Sequence, residues 1–452
     1  MSTPKYLKLS YDQQALLEYI KDAPLSLLNI PVRVDLDSPV DEEIALEAMR
    51  HAVTRLPYCT LRLHKNEDGE IVQYLSDEQP VGFEVVDLSD GTEEDVDDYI
   101  LGRASAAFPN ECMDVQLYDF KLIRTPNGKH TIYFNGFHEL MDSVGMIYTI
   151  VYFDKCYNAL ADGTELPPVG VGPEKAIDDS WAYKASPKHQ QDIDWWKAYY
   201  TPEPCFASMN PQPSPEYIPG KRYGKAQDYS QYGGESLPIR IPAETVRFID
   251  AAAMANNLSA QVYYALAFRT FLANNSGCDD VCFDTTGARR ATLYMKNCGM
   301  TVAHQVTWRT VIPGTATFKE GLLEMTRTQR EMYRHIGVMK DRYTEWMAEA
   351  YNVPADCTYI SSVFTYQPYF NSDDVKLRFS ANHVNTGLCW PSLYMNLMPH
   401  DNSGDLWADY MYAVNYLKKE NLLHFHDFML KFILAGIAAP DKTIDELKAL
   451  SL

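Results

Sequence analysis

From Leu28 to Leu36 the chain alternates apolar and polar side chains, the period-two pattern of a half-buried strand. Asp41 then opens a helical stretch to Arg55, with Ile44, Ala45, Ala48, Met49 and Val53 at helical spacing behind an N-capping carboxylate. Residues 59–63 and 71–75 flank Asn66-Glu67-Asp68-Gly69, and 117–124 and 130–136 flank Pro126-Asn127-Gly128, so each pair reads as a hairpin. A helix is predicted over 143–161.

The later half repeats the mixture. Helices are predicted over 243–256, from Ser259 through Ala273, over 317–336, over 419–437 and from Thr443 onward, with strands at 280–285 and 301–311. In the 317–336 helix Phe318, Leu322, Met325, Thr326 and Gln329 share one side. Residues 391–399 and 405–414 flank Asp401-Asn402-Ser403-Gly404 as a late hairpin. Between the halves, 162–190 is dense in Gly and Pro and reads as a linker, and 202–236 reads as an extended surface or crossing loop. Strands and helices interleave without regular βαβ spacing, which predicts an α+β protein in two lobes.

Composition agrees. The 452 residues, 46% hydrophobic and 22% charged, are too many for one ordinary core. Apolar stretches such as 144–153 stop well short of the ~20 residues a membrane-spanning helix needs, and Met1-Ser2-Thr3-Pro4-Lys5 does not open a secretory signal. Nine scattered cysteines without ligand or redox spacing read as free buried thiols, in keeping with a reducing, cytoplasmic setting. The formal charge of −21, without a basic run longer than pieces such as Lys221-Arg222 and Arg289-Arg290, argues against a nucleic-acid surface.

The candidate chemistry lies at the end of the buried run Thr131–Phe137. That strand leads straight into His138, and Asp142 stands before the next helix, where a carboxylate caps free amides at the positive end of the helix dipole. An imidazole so placed can act as a general base, while a satisfied core histidine is the plainer reading. The spacing alone is unspecific, because His64 and Asp68 repeat it in a turn where a solvated histidine is expected. His304, on a predicted strand, reads as a satisfied interior histidine, and His424 and His426 read as helix-surface residues. No glycine-rich phosphate loop, zinc-protease motif or nucleophile elbow is present.

Asn135 to Gly145 resembles the His-His-x-x-x-Asp-Gly signature of nonribosomal-peptide condensation domains and their chloramphenicol-acetyltransferase-like relatives. The second, reactive histidine falls on His138 and the aspartate on Asp142. The likeness continues through Ser10-Tyr11-Asp12-Gln13, Asp194-Trp195-Trp196-Lys197, Leu237–Pro242, Asn257-Leu258-Ser259, Gly277–Val281, Gly287-Ala288-Arg289-Arg290 and Cys298–Val302, in family order. It implies two chloramphenicol-acetyltransferase-like α/β sandwich lobes in a V with an active-site tunnel between them. Their expected limits are 1–175 and 176–452, with bridging segments near 280–300 and 385–400.

The same resemblance implies an acyltransferase that moves an acyl or aminoacyl group from a carrier-protein or coenzyme A thioester to an amine or hydroxyl acceptor. His138 would be the general base or orienting group, and Asp142 a structural partner held by Arg290, with Arg289 in reserve. Phe137, Ser143, Gly145, Tyr366 and Trp390 are the expected substrate-facing residues. No permanent cofactor, no metal and no nucleic acid is implied; the partners would be a carrier protein and a small-molecule acceptor. Phe137 stands where the family has its first histidine, and Ser143 where it has glycine. A non-catalytic module that binds a carrier protein or partner is the alternative. A coenzyme A-dependent enzyme is a further one, for which Lys221-Arg222-Tyr223-Gly224-Lys225 is the only obvious basic cluster.

Overall fold

A computed structural model describes residues 4–19, 23–226, 233–367, 375–389 and 391–452. The first lobe is built from α1 (Tyr11–Tyr19), β1 (Asn29–Leu36), α2 (Glu42–Arg55), β2 (Val85–Asp87), β3 (Tyr118–Arg124), β4 (His130–Phe137) and α3 (Ser143–Ala161). The second contains β5 (Gly234–Ile241), α4 (Ala260–Ser276), β6 (Asp280–Gly287), β7 (His304–Val311), α5 (Phe318–Arg334), β8 (Ser362–Tyr366), β9 (Phe379–His383), β10 (Leu393–Met398), β11 (Leu406–Ala413) and α6 (Lys419–Ala438).

Two sheets carry the molecule. One has five strands in the order β9-β1-β4-β3-β2, the other six in the order β7-β6-β8-β10-β11-β5. In the first sheet α2 and α3 cover one face, packing Ala48, Met49 and Phe153 on Val34, Phe120 and Phe134. The opposite face meets Val96 and Ile100 of the helix Glu93–Ala104, which the sequence pattern did not predict. β4 is therefore buried at all eight residues, which explains its nearly unbroken apolar reading. In the second sheet α4, α5 and α6 supply the core, around Phe268, Met325, Phe425 and the large rings Trp196 and Trp308.

β9 connects the lobes. It lies between two second-lobe strands in sequence, yet it pairs antiparallel with β1 at the edge of the first sheet, Ala381 opposite Val34 and His383 opposite Val32. Phe379 and Ala381 accordingly join the first-lobe core, as do Cys298 and Met300. The strand that crosses back thus comes just before the expected 385–400 segment.

Three local expectations change. The 162–190 linker contains the helix Glu174–Lys184 and the start of the helix Pro187–Tyr199. The 202–236 stretch, whose residues 227–232 lie outside the described residues, is no surface loop at its start, because Phe206, Ala207, Ser208 and Met209 are buried. Cys205 in that stretch forms a disulfide with Cys278, so two of the thiols expected to be free are joined. Their separation of 73 residues gives no spacing signal. Among the described residues no helix is long and apolar enough to cross a membrane.

Candidate functional site

β4 ends in a tight turn. The Leu140 amide donates to the Phe137 carbonyl at 2.9 Å, and a Cβ on Gly136 would lie 2.4 Å from the Met141 sulfur, so glycine there leaves room for the Met141 side chain where the chain folds back. His138 sits in this turn with its backbone held from both lobes. Its amide donates to Leu28 at 2.7 Å, and its carbonyl accepts from the Thr301 hydroxyl. The ring lines a cavity of about 320 Å³ between the lobes, and its Nδ1 is buried with no hydrogen-bond partner among the described residues.

Asp142 caps α3. Its Oδ1 accepts from the Val144 and Gly145 amides at 3.1 and 3.3 Å, and its Oδ2 from the Val302 and Ala303 amides at 3.2 and 3.1 Å. Arg290 Nη2 straddles the two oxygens at 2.8 and 2.9 Å, and the two side chains are 2% and 6% exposed. With four amides and a guanidinium around it, the carboxylate has no lone pair to offer a substrate. It fixes the helix start, the His138 turn and the 298–303 segment against one another.

Arg289 makes the opposite connection. Its φ of 53° turns its side chain away from that of Arg290. Its Nη1 donates to Asp12 Oδ1 at 2.9 Å, and His304 Nε2 lies 2.8 Å from the same oxygen. The Ile336 carbonyl, 2.8 Å from His304 Nδ1, takes a proton there, which leaves Nε2 facing Asp12 and Arg289. Burial pushes the Asp12 carboxyl up, but Arg289 and His304 outweigh it and hold it at about 2. Burial, reinforced by Arg289, holds His304 below its usual range. Sequence reasoning placed His304 in the interior, where it is, but missed that Asp12 and His304 both line the cavity beside His138.

The expected substrate-facing residues divide. Ser143 lines the cavity. Phe137 does not: it is 1% exposed in the first-lobe core, edge-to-face with Phe108, because the strand's last side chain turns under the helices. Gly145 does not either. A Cβ there would come within 2.0 Å of the Gly299 carbonyl, so this glycine serves the close approach of the lobes. Tyr366 stacks on Tyr264 in the second-lobe core, and its neighbour Gln367 reaches the cavity instead. Trp390 lies outside the described residues.

The basic run 221–225 contributes nothing to the cavity wall; Arg222 bonds to Glu203 and Asp280. His426, expected on a helix surface, is buried against the Tyr410 hydroxyl at 2.9 Å, and burial pushes it down to about 4. His383 and Asn385 also line the cavity; Asn385 opens the expected 385–400 bridging segment, whereas His383 carried no sequence signal, because β9 was not predicted.

Two sandwich lobes with a histidine on the shared cavity wall, and an aspartate–arginine pair clamped across the lobes behind it, define a two-lobed acyltransferase architecture. The condensation-domain family model matches residues 19–452, and the chain belongs to that family, whose members form amide bonds by acyl transfer in nonribosomal peptide synthesis. It is 22% identical over 419 residues to surfactin synthase subunit 1 of Bacillus subtilis, covering 91% of this chain and 11% of that protein. It is 23% identical over 368 residues to a linear gramicidin synthase protein of Brevibacillus parabrevis, covering 79% of this chain and 7% of that one. The chain thus spans about a tenth of the length of these relatives.

Solved structures share the fold. The first condensation domain of the calcium-dependent antibiotic synthetase, in complex with a substrate analogue, aligns at TM-score 0.80 and 18% identity over 98% of this chain and 99% of that one. A mutant of the starter condensation domain of rhizomide synthetase RzmA in complex with C8-CoA aligns at 0.80 and 13%, over 98% and 97%. VibH, a nonribosomal peptide synthetase condensation enzyme, aligns at 0.73 and 15%, over 95% and 96%.

Proposed function

We propose that this chain transfers an acyl or aminoacyl group from a thioester, borne by a carrier protein or by coenzyme A, to an amine or hydroxyl acceptor held in the cavity. The acceptor nitrogen or oxygen attacks the thioester carbonyl carbon. His138 takes the acceptor's proton as the new bond forms, the carbon–sulfur bond breaks, and the imidazolium returns the proton to the departing thiolate. No covalent enzyme intermediate is needed. The observation that carries the reading is the double hold on His138: its backbone is tied to Leu28 in one lobe and Thr301 in the other while its ring faces the cavity. Such preorganisation is what a general base needs.

Asp142 and Arg290 act as positioning residues, since their facing polar atoms are taken up by each other and by the surrounding main chain. Phe137, in the place of the family's first histidine, belongs to the core and takes no part in the proton transfer. The RzmA relative's C8-CoA supports a thioester donor, and the carrier-bound form is the other arm of the test. Mass spectrometry of products from a panel of coenzyme A and carrier-bound thioesters with mixed amines and alcohols reads the activity. His138→Ala is expected to lower the rate by about a hundredfold or more. Full activity in that variant overturns the assignment, and no product from the wild-type chain leaves a binding module.

A further inference from the structure

The proposed reaction uses one histidine of the cavity, but the end of β9 and the residues just after it bring two more polar groups to its wall. His383 is fixed by the β9–β1 ladder opposite Val32, and the next residue continues the pairing, Val384 N donating to Pro31 O at 3.1 Å. A neutral imidazole carries its proton on one ring nitrogen and presents a lone pair on the other. Burial, with the repulsion of His400 and His138, holds the ring below its usual range against the pull of Asp409, which keeps that lone pair available near neutrality.

Two residues on, Asn385 supplies the complementary group. The Gly387 amide donates to Asn385 Oδ1 at 2.8 Å, which identifies the other terminal atom as the amide nitrogen. Gly387, at φ 79°, makes this turn possible. Asn385 Nδ2 is buried with no hydrogen-bond partner among the described residues, although Asn385 lines the cavity. A buried donor left unpaired is costly, so a donor held this way beside a cavity fits one that a ligand completes.

An acceptor and a donor two residues apart match the N–H and C=O of one secondary amide. We propose that His383 and Asn385 form an amide-reading site in the reaction cavity, with Asn385 Nδ2 donating to the substrate carbonyl and the His383 ring accepting from the substrate N–H. This rests on the acyl-transfer reading and sharpens it: the substrate read here carries a secondary amide. That amide comes either from the pantetheine arm of the donor thioester or from a peptide-like acceptor. Replacing the N–H by an ester oxygen would remove the donor and set two lone pairs against each other.

Calorimetry on the full chain with inert ligands tests this. One pair is S-alkyl pantetheine and its counterpart with the cysteamine-side amide replaced by an ester; the other is an N-acyl amino acid amide and its depsi-counterpart. The amide form of one pair is expected to bind about tenfold tighter or more than its ester, and the pair that shows the preference names the source of the amide. Asn385→Asp, which keeps the turn to Gly387 but loses the donor, and His383→Phe, which keeps a ring, are each expected to erase the preference. Equal binding of amide and ester in both pairs overturns the proposal, as does a preference that survives both variants. Amide preference without His138-dependent transfer overturns the acyl-transfer reading and leaves the amide site standing; transfer without the preference does the reverse.

Discussion

Arg289 and Arg290 are neighbours in the chain, and each meets a buried carboxylate, yet the two pairs are built differently. Arg290 closes on an aspartate that already holds four backbone amides, so this cluster is mostly main chain. Arg289 closes on Asp12, whose other partner is the His304 side chain, so that cluster is mostly side chain. Both span the lobes, since Asp142 and Asp12 come from the first and both arginines from the second. The Asp142 cluster can hold only one geometry, because helix start, turn and strand all converge on it. The Asp12 cluster depends on the protonation of two titratable groups. A rigid clamp therefore lies directly behind His138, and a charge-dependent one lies beside it on the same cavity.

Asp142→Ala is the most damaging change. It strands the buried Arg290 charge and leaves the amides of Val144, Gly145, Val302 and Ala303 unpaired, with an expected loss of ~3–5 kcal/mol in denaturant unfolding and a matching collapse of transfer rate. A companion variant sharpens the comparison. Only Nη2 of Arg290 reaches the carboxylate, without a two-pronged fork. Arg290→Lys is therefore expected to cost less than half of what Arg290→Ala costs, measured by the same unfolding midpoint; equal losses would mean that the guanidinium plane is required.

The Asp12 cluster breaks through pH. Its carboxyl is held at about 2 against an ordinary value of 3.8, which corresponds to about 2 kcal/mol of stability at neutral pH. For a depressed carboxyl that contribution is present above the unfolded value and disappears as pH falls through the folded one. Asp12→Asn is thus expected to be about 2 kcal/mol less stable than wild type at pH 7, with the gap roughly halved near pH 3. Guanidine unfolding at a series of pH values reads it; a gap unchanged down to pH 3 would remove the ion pairing as its cause.

How much of this was visible in the sequence depends on whether the cause was local. β4, its turn and α3 were legible because burial on both faces and an N-capping carboxylate leave marks in consecutive residues. Arg290 was assignable by resemblance, whereas the partner of Arg289 was not, because it is chosen by a left-handed backbone angle that no side-chain pattern reports. The helices that begin within 162–190 were hidden by prolines read as breakers. Pro173 and Pro187 stand at their starts, where a missing amide costs nothing. β9 and His383 were hidden for a tertiary reason: the strand belongs to the sheet of the other lobe, so its polarity follows the distant strand β1, where Val34 and Val32 pair with it.

Glu139 is the counterexample to both clusters, and its effect is opposite in sign. It lies between His138 and Asp142, is 0% exposed, and neither carboxyl oxygen has a hydrogen-bond partner among the described residues. Burial pushes it well above its ordinary value of 4.5, so the folded protein keeps it protonated where the unfolded chain ionises. A raised carboxyl contributes its full stability below the unfolded value and loses it as pH rises towards the folded one. Wild type is therefore expected to lose stability as pH rises above about 5, relative to Glu139→Gln, which cannot titrate, by about 1.4 kcal/mol per pH unit in urea unfolding for as long as the folded acid stays protonated. The Gln13 side chain holds position 139 through its backbone carbonyl at 3.0 Å, a contact the substitution keeps. Transfer activity is then expected to stay near wild type while the stability profile flattens. A wild-type profile parallel to that of the variant across this range would mean that Glu139 finds a partner and is no exception to the pairing of buried carboxylates around the site.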